Sequence, residues 1–477
     1  MSISIWFRNP RIRRGIALSA VVLATGGLVL HRSASALPGD GVFSRPALTA
    51  GKSSAVFSGP GVHGMVSLSH THLLTGQDAS VFADVRVVAD AKSRGVARAP
   101  ISLAVVLDTS GSMSGEKIED AKRSVLELLS NMRDDDEIAL VRYDDRSELV
   151  QQLARVGAVR ASLSERVREI VAGGGTNIPG GLSHGLRALD EAARGRVRRI
   201  VLVSDGLDAT RAQAENLARS SFASGITVSS LGIGLDFDES YMGSLAQNGH
   251  GNFGFIKEGG SLAKFLHREL EETATTTVEH AHVRLRLPNG MRFVHATGAD
   301  VVVNGGEVDL SLGSLFAGDE RRVIVEMTAS ASGSAMDVET EASWNLVGAG
   351  PTTASAPRLT LLATADASEV ERGKDGAVLA SAASVLASRR QMEAANAYAQ
   401  GDVARAAQIT ADNERALASA EAAAPASVAT ALGAQRKSYE EMKKSFAATP
   451  PRSDKGRAAA KAAAAKEMGN LSRSTVY

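Results

Sequence analysis

Five side chains on three separated segments offer the chemistry of a divalent-cation site. The first segment, residues 101–113 (ISLAVVLDTSGSM), is an apolar run that ends in Asp108-Thr109-Ser110-Gly111-Ser112. An apolar run closed by turn residues reads as a buried parallel strand. Asp108, Ser110 and Ser112 then fall on the loop leaving its C-terminal end, the edge where open α/β sheets bind ligands. The second segment, Gly173-Gly174-Gly175-Thr176-Asn177, puts the Thr176 hydroxyl on a glycine loop just ahead of a helix. Pro179 falls near that helix's first turn, where proline is tolerated. The third segment, residues 199–204 (RIVLVS), reads as another buried strand and ends at Asp205-Gly206. Two carboxylates and three hydroxyls make an all-oxygen, partly neutral donor set that suits a hard cation such as Mg²⁺.

The elements needed to position these loops are legible around them. Residues 117–132 carry Ile118, Ala121, Val125, Leu128 and Leu129 at helical spacing, and residues 137–143 (EIALVRY) read as a strand. Helical patterns follow at 164–171, 181–193, 211–223 and 262–273, with strands at 226–233 and 253–256. Strands alternating with helices imply an α/β domain with a mostly parallel, doubly wound sheet. At this point the chain resembles the von Willebrand factor A family, over residues 99–274. That family's metal-ion-dependent adhesion site uses Asp-x-Ser-x-Ser, then a distal Thr and a distal Asp, in the order found here. The resemblance implies that Ser110, Ser112 and Thr176 ligate directly, and Asp108 and Asp205 mostly through water. It implies Mg²⁺, or Mn²⁺ or Ca²⁺, as the ion. The expected partner is a protein ligand whose Asp or Glu carboxylate completes the coordination, which makes the chain a binding or adhesion module rather than an enzyme.

The composition narrows the alternatives. The chain has 477 residues, enough for two or three domains, and 44% of them are hydrophobic. Lys plus Arg and Asp plus Glu are both 53, so the net charge is zero and the basic footprint of a nucleic-acid binder is missing. Cysteine is absent, which excludes disulfides, zinc–thiolate sites and thiol catalysis. Residues 1–36 read as an export signal or a retained membrane anchor. Arg8, Arg11, Arg13 and Arg14 precede an apolar run at 15–30, and Ala34-Ser35-Ala36 offers a cleavage site. The expected location is the periplasm, or the outer face of the cytoplasmic membrane with residues 15–30 as anchor.

The flanks read differently. Residues 37–60 are rich in Ser, Gly, Pro and Ala and read as a linker. In the flanks at 61–98 and 275–365, residues 65–73, 80–88 and 283–287 alternate in period two, as half-buried antiparallel strands do, and 301–303, 307–312, 322–327 and 337–344 are further strand candidates. One β-sandwich built from both flanks, with the α/β domain inserted in its chain, is the economical arrangement. This architecture resembles bacterial relatives of the inter-α-trypsin inhibitor heavy chains and calcium-activated chloride channel-like proteins. Residues 366–447 are alanine-rich with helical spacing, and Tyr398-Ala399-Gln400-Gly401-Asp402 reads as the turn of a helical hairpin. Residues 448–477 read as a basic flexible tail.

Other constellations carry less. His70 with His72, and His280 with His282, each share one face of a strand and read as surface histidines on unconnected strands; a four-imidazole metal site is the minor alternative, open only if both flanks join one sandwich. Asp134-Asp135-Asp136-Glu137 lacks the alternation and glycine of a calcium loop and reads as a turn. Asp144 and Asp145 follow a strand near the expected metal face. A metal-dependent hydrolase would need His184, Asp144 or Asp145 as general base, and none sits in a catalytic motif. The remaining alternative is a metal-independent envelope scaffold contacting its partners through the helical region.

Overall fold

The computed structural model describes residues 51–91, 99–192, 195–205, 210–234, 237–256, 262–332 and 335–473. The export segment, and the linker up to residue 50, lie outside the described residues. Among the described residues, no helix is long and apolar enough to cross a membrane.

Strands β1 (Ser54–Gly59), β2 (Val62–Leu68), β3 (His72–Leu74) and β4 (Asp78–Ala89) precede the α/β domain. That domain then runs through β5 (Ile101–Asp108), α1 (Glu116–Asn131), β6 (Glu137–Tyr143), β7 (Ser147–Arg155), α2 (Val156–Glu169), α3 (Ile178–Asp190), β8 (Val197–Ser204), α4 (Arg211–Ala223), β9 (Ile226–Ile233), α5 (Glu239–Asn248), β10 (His250–Ile256) and α6 (Leu262–Ala274). Its sheet has the order β10-β9-β8-β5-β6-β7, parallel except for the antiparallel edge strand β7. Every residue of β5 is buried, as helices on both faces of a parallel sheet require. One face packs against α1, α2 and α6 and the other against α3, α4 and α5, so two apolar layers fix the height of β5 and β8. The strand order reverses around β5, and Ser112 after β5 and Asp205 after β8 meet at its C-terminal edge.

After the α/β domain come β11 (Thr276–Arg286), β12 (Met291–Thr297), β13 (Asp300–Asn304), β14 (Glu307–Phe316), β15 (Glu320–Ser330), β16 (Met336–Leu346) and β17 (Gly350–Thr364). One sheet has the order β1-β2-β4-β15-β12 and the other β13-β14-β11-β16-β17-β3. Both sheets combine strands from before and after the insertion. In the first, β15 lies between β4 and β12 with Ile324 opposite Asp84. A single core joins Val66, Leu73 and Val85 to Val283, Leu310, Val325 and Trp344. Neither flank therefore has a core of its own. The expected linker ends earlier than its composition suggested, because residues 54–59 form β1 and place Ala55 and Phe57 in this core.

The remaining chain is helical: α7 (Ala367–Arg372), α8 (Gly376–Ala399), α9 (Val403–Ala423), α10 (Ala426–Ala448) and α11 (Asp454–Arg473). Gly401, at φ 92°, makes the turn between α8 and α9, and the Asp402 carboxylate caps α9 by accepting from the Arg405 N–H. Residues 448–477 are not a flexible tail over their described length. The α11 face formed by Ala460, Ala463 and Ala464 packs against the stacked rings of Tyr398 and Phe446. The Lys461 ammonium donates to the Phe237 carbonyl at 2.5 Å and lies 4.2 Å above the Phe237 ring, tying α11 to the loop after β9. Limited trypsin digestion should therefore spare residues 454–473, although Lys455, Arg457, Lys461 and Lys466 lie within them. Release of peptides from this stretch before any other cleavage would contradict a docked helix.

Candidate metal centre

Asp108 is the last residue of β5 and is fully buried. One carboxylate oxygen accepts the Ser110 N–H at 2.8 Å, and the other accepts the Ser204 hydroxyl at 2.6 Å. Ser204 ends the adjacent strand β8, so the carboxylate is held by its own loop and by its neighbour. Burial pushes the Asp108 carboxyl above its ordinary range, and the negative charge of Asp205 adds to this against the pull of the two serines.

Ser110 and Ser112 sit at a single tight helical turn, with their hydroxyl oxygens 3.0 Å apart. The Ser112 hydroxyl donates to Asp205 Oδ1 at 2.7 Å, and Asp205 is fully buried. The glycine loop is zipped to this first loop by two backbone bonds, Gly111 N–H to the Gly174 carbonyl at 2.9 Å and Gly173 N–H to the Thr109 carbonyl at 2.7 Å. Gly174 stands at φ 83°, where a side chain would be strained and would crowd Asp144 and Asp145. Thr176 follows, half-buried, immediately before Asn177, which caps α3 by accepting from the Gly180 N–H at 2.9 Å. Among the described residues, the Thr176 hydroxyl has no hydrogen-bond partner. The three segments thus meet on one edge of the sheet.

The spacing fits a small cation. Ligands at right angles around an ion with about 2.1 Å metal–oxygen bonds stand roughly 3.0 Å from each other. The Ser110–Ser112 separation, 3.0 Å, is of that size, and Asp205, bonded to the Ser112 hydroxyl at 2.7 Å, lies next to them. Both oxygens of Asp108 are engaged by the protein, which suits contact through water. Among the described residues, no three His, Asp or Glu side chains gather to hold a metal, so hydroxyls must contribute to any such site.

Lys117, in the first turn of α1, was not singled out by sequence reasoning. Its ammonium pairs with Asp205 Oδ2 and donates to the Ser112 carbonyl at 3.1 Å. Ser204 was also missed as a partner of Asp108. The only sequence signals were their closeness to Ser112 and Asp205.

The histidine pairs do not form a site. His70 bonds Ser69, His72 bonds Thr71 and His282 bonds Asp309. His280 stands at φ 51° in a bulge of β11 and lies near the Phe222 ring, so the two-residue alternation breaks there. The acidic run at 134–137 is a turn whose buried Asp136 accepts the Ile101 and Arg133 N–H groups. Asp145 Oδ2 accepts the Gly175 N–H at 2.9 Å and Asp144 Oδ1 the Arg146 N–H at 2.8 Å, so both brace the loops beside the site. His184 bonds the Ser147 hydroxyl, and burial, with Arg187 nearby, lowers its pKa.

Residues 102–268 match the family pattern of the von Willebrand factor type A domain. The chain carries a von Willebrand factor type A domain. The fold agrees over nearly the whole chain with a von Willebrand factor type A structure from Catenulispora acidiphila: TM-score 0.68, 20% identity, covering 90% of this chain and 99% of that one. The ArnB paralog VWA2 from Sulfolobus acidocaldarius gives a TM-score of 0.57 at 15% identity, over 85% of this chain and 98% of that one. Among curated relatives, a Synechocystis protein, sll0103, is 28% identical over 48% of this chain and 57% of its own length. Rat inter-alpha-trypsin inhibitor heavy chain H3 is 26% identical over 47% of this chain and 27% of its own length. The chain therefore spans less than two thirds of these curated relatives. The A domain is of a kind that typically mediates metal-dependent protein–protein interaction.

Proposed function

We propose that this chain is a cation-dependent binding module. Asp108, Ser110, Ser112, Thr176 and Asp205 would hold Mg²⁺, Mn²⁺ or Ca²⁺, and an Asp or Glu side chain of a protein partner would complete the coordination. The observation that carries this reading is the convergence of three segments on one edge of the sheet, with the Ser110 and Ser112 hydroxyls 3.0 Å apart, Asp205 bonded to Ser112, and the glycine loop ahead of Thr176 tied to the first loop by backbone bonds. Bound there, the ion would keep much of its positive charge, because three of the five donors are neutral hydroxyls, and so attract an external carboxylate. The chain's own contribution is rigidity: the backbone bonds between loops and the Ser204–Asp108 bond hold the donors in place without a partner. A hydrolytic reading is weaker, because the candidate bases are spent on structure: Asp144 and Asp145 on backbone N–H groups and His184 on Ser147. The apolar run at 15–30 supports an exported location, in the periplasm or anchored outward on the cytoplasmic membrane.

Titration calorimetry with MgCl₂ and MnCl₂ tests the cation. Saturable binding is expected, weakened by about tenfold or more in Asp108→Ala and Thr176→Ala. Variants that titrate like the parent would remove the site and leave a metal-independent scaffold.

A further inference from the structure

A cavity of about 410 Å³ opens beside Thr176. Its floor follows one face of α3, where Gly180, Ser183 and Arg187 recur at helical spacing, and Ser147 and Gln213 wall it. The lining is largely polar, unlike an apolar pocket for a small hydrophobic ligand. Arg187 is exposed, and among the described residues it makes one hydrogen bond, a long one from Nε to the Ser183 carbonyl at 3.4 Å. Among the described residues, no carboxylate comes within ion-pair distance of it. The other side of Thr176 is acidic, with Asp144 and Asp145 packed under Gly174 and Gly175. An anionic ligand anchored at the cation is therefore repelled on one side and drawn along α3 on the other.

We infer that this groove is a second subsite, in which Arg187 binds a further carboxylate of an acidic, extended segment of the partner. The inference rests on the cation reading above and adds the partner's local sequence chemistry. From Ile178 to Arg187 the helix rises roughly 14 Å, which an extended chain covers in about four residues. The partner segment thus carries two acidic residues about four positions apart, the first on the ion and the second on Arg187. Linking the two contacts makes the second intramolecular, so a modest ion pair still adds measurable affinity.

The test uses the full chain in saturating MgCl₂, with saturation checked by calorimetry for each protein. Two fluorescein-labelled peptides are compared by anisotropy at low salt. One carries two glutamates four positions apart in a Gly/Ser background; the other has the second glutamate replaced by glutamine. The parent should prefer the two-glutamate peptide by about threefold to fivefold, and Arg187→Glu should bring that ratio below one. Equal affinities in the parent, the same ratio in Arg187→Glu, or no peptide binding at millimolar concentration with metal bound would each overturn the subsite while leaving the cation site standing. Absence of any Mg²⁺ binding would instead overturn the reading beneath it.

Discussion

Replacing Lys117 with methionine should tighten Mg²⁺ binding about tenfold, whereas replacing Asp205 with asparagine should weaken it at least about a hundredfold. The two side chains touch, yet they act in opposite directions. Lys117 lays its ammonium on Asp205 Oδ2 and on the Ser112 carbonyl. It therefore neutralises a buried carboxylate at the place where a cation would sit. An arriving divalent ion must displace this ammonium or tolerate it close by. The lysine side chain is partly exposed and can swing toward solvent, so a residual repulsion of about 1–2 kcal/mol is a reasonable scale. Methionine keeps the aliphatic stem and removes the charge. Without metal the same change leaves Asp108 and Asp205 close together without the ammonium, so in EDTA the Lys117→Met protein should melt below the parent. Added Mg²⁺ should then raise its melting temperature by more than it raises the parent's, in proportion to the tighter binding. Calorimetry and thermal unfolding, each with EDTA and with Mg²⁺, read both halves. Weaker Mg²⁺ binding in Lys117→Met would show instead that the ammonium orders the first loop for the ion.

What the sequence discloses depends on whether burial leaves a mark on residue type. All eight residues of β5 are buried on both faces, so the strand is written as a nearly unbroken apolar run that makes Asp108 conspicuous at its end. The same logic exposes β8 and Asp205. Lys117 leaves no such mark, since a lysine in the first turn of an amphipathic helix looks like any solvated side chain. Strand β17, GPTTASAPRLTLLAT, is hidden for another reason: small residues and two prolines satisfy its shallow packing. Helix α11 is the clearest case. Its buried face is Ala460, Ala463 and Ala464, so the Tyr398 and Phe446 rings supply the bulk of the contact and the helix itself lacks the large apolar stripe that periodicity detects. The histidine pairs failed because β11 bulges around His280, and strand alternation holds only where the ladder is regular.

Cutting the bond between the two halves of the sandwich should cost about 3–5 kcal/mol: this is the expectation for Arg322→Leu. Asp84 on β4 and Arg322 on β15 are both buried and stand 238 positions apart, on opposite sides of the inserted A domain. Arg322 Nε donates to Asp84 Oδ1 at 2.8 Å, its Nη2 reaches Asp84 Oδ2 and the Ser381 hydroxyl on α8, and Arg86 Nη2 donates to Oδ2 at 3.2 Å. One carboxylate thus joins both flanks, and through Arg322 the helical region. Losing Arg322 leaves it in the core with only the long bond from Arg86 to offset its burial. The pH dependence carries the same information. Burial alone would raise the Asp84 carboxyl, but the charges and hydrogen bonds of Arg322 and Arg86 outweigh it and hold the group below its ordinary value of 3.8. The unfolded chain then takes up this proton more readily than the folded one, so the stabilisation is complete above about pH 5 and is lost as pH falls through the folded value. Asp84→Asn forfeits the contribution at neutral pH and has nothing further to lose in acid. Guanidinium unfolding followed through the buried Trp344 should therefore show a gap between the parent and the Asp84→Asn protein that is wide at pH 7 and narrows toward about pH 2. A gap of constant width would mean that desolvation and the two arginines cancel at this carboxylate, and a gap that widens in acid would mean that desolvation governs it.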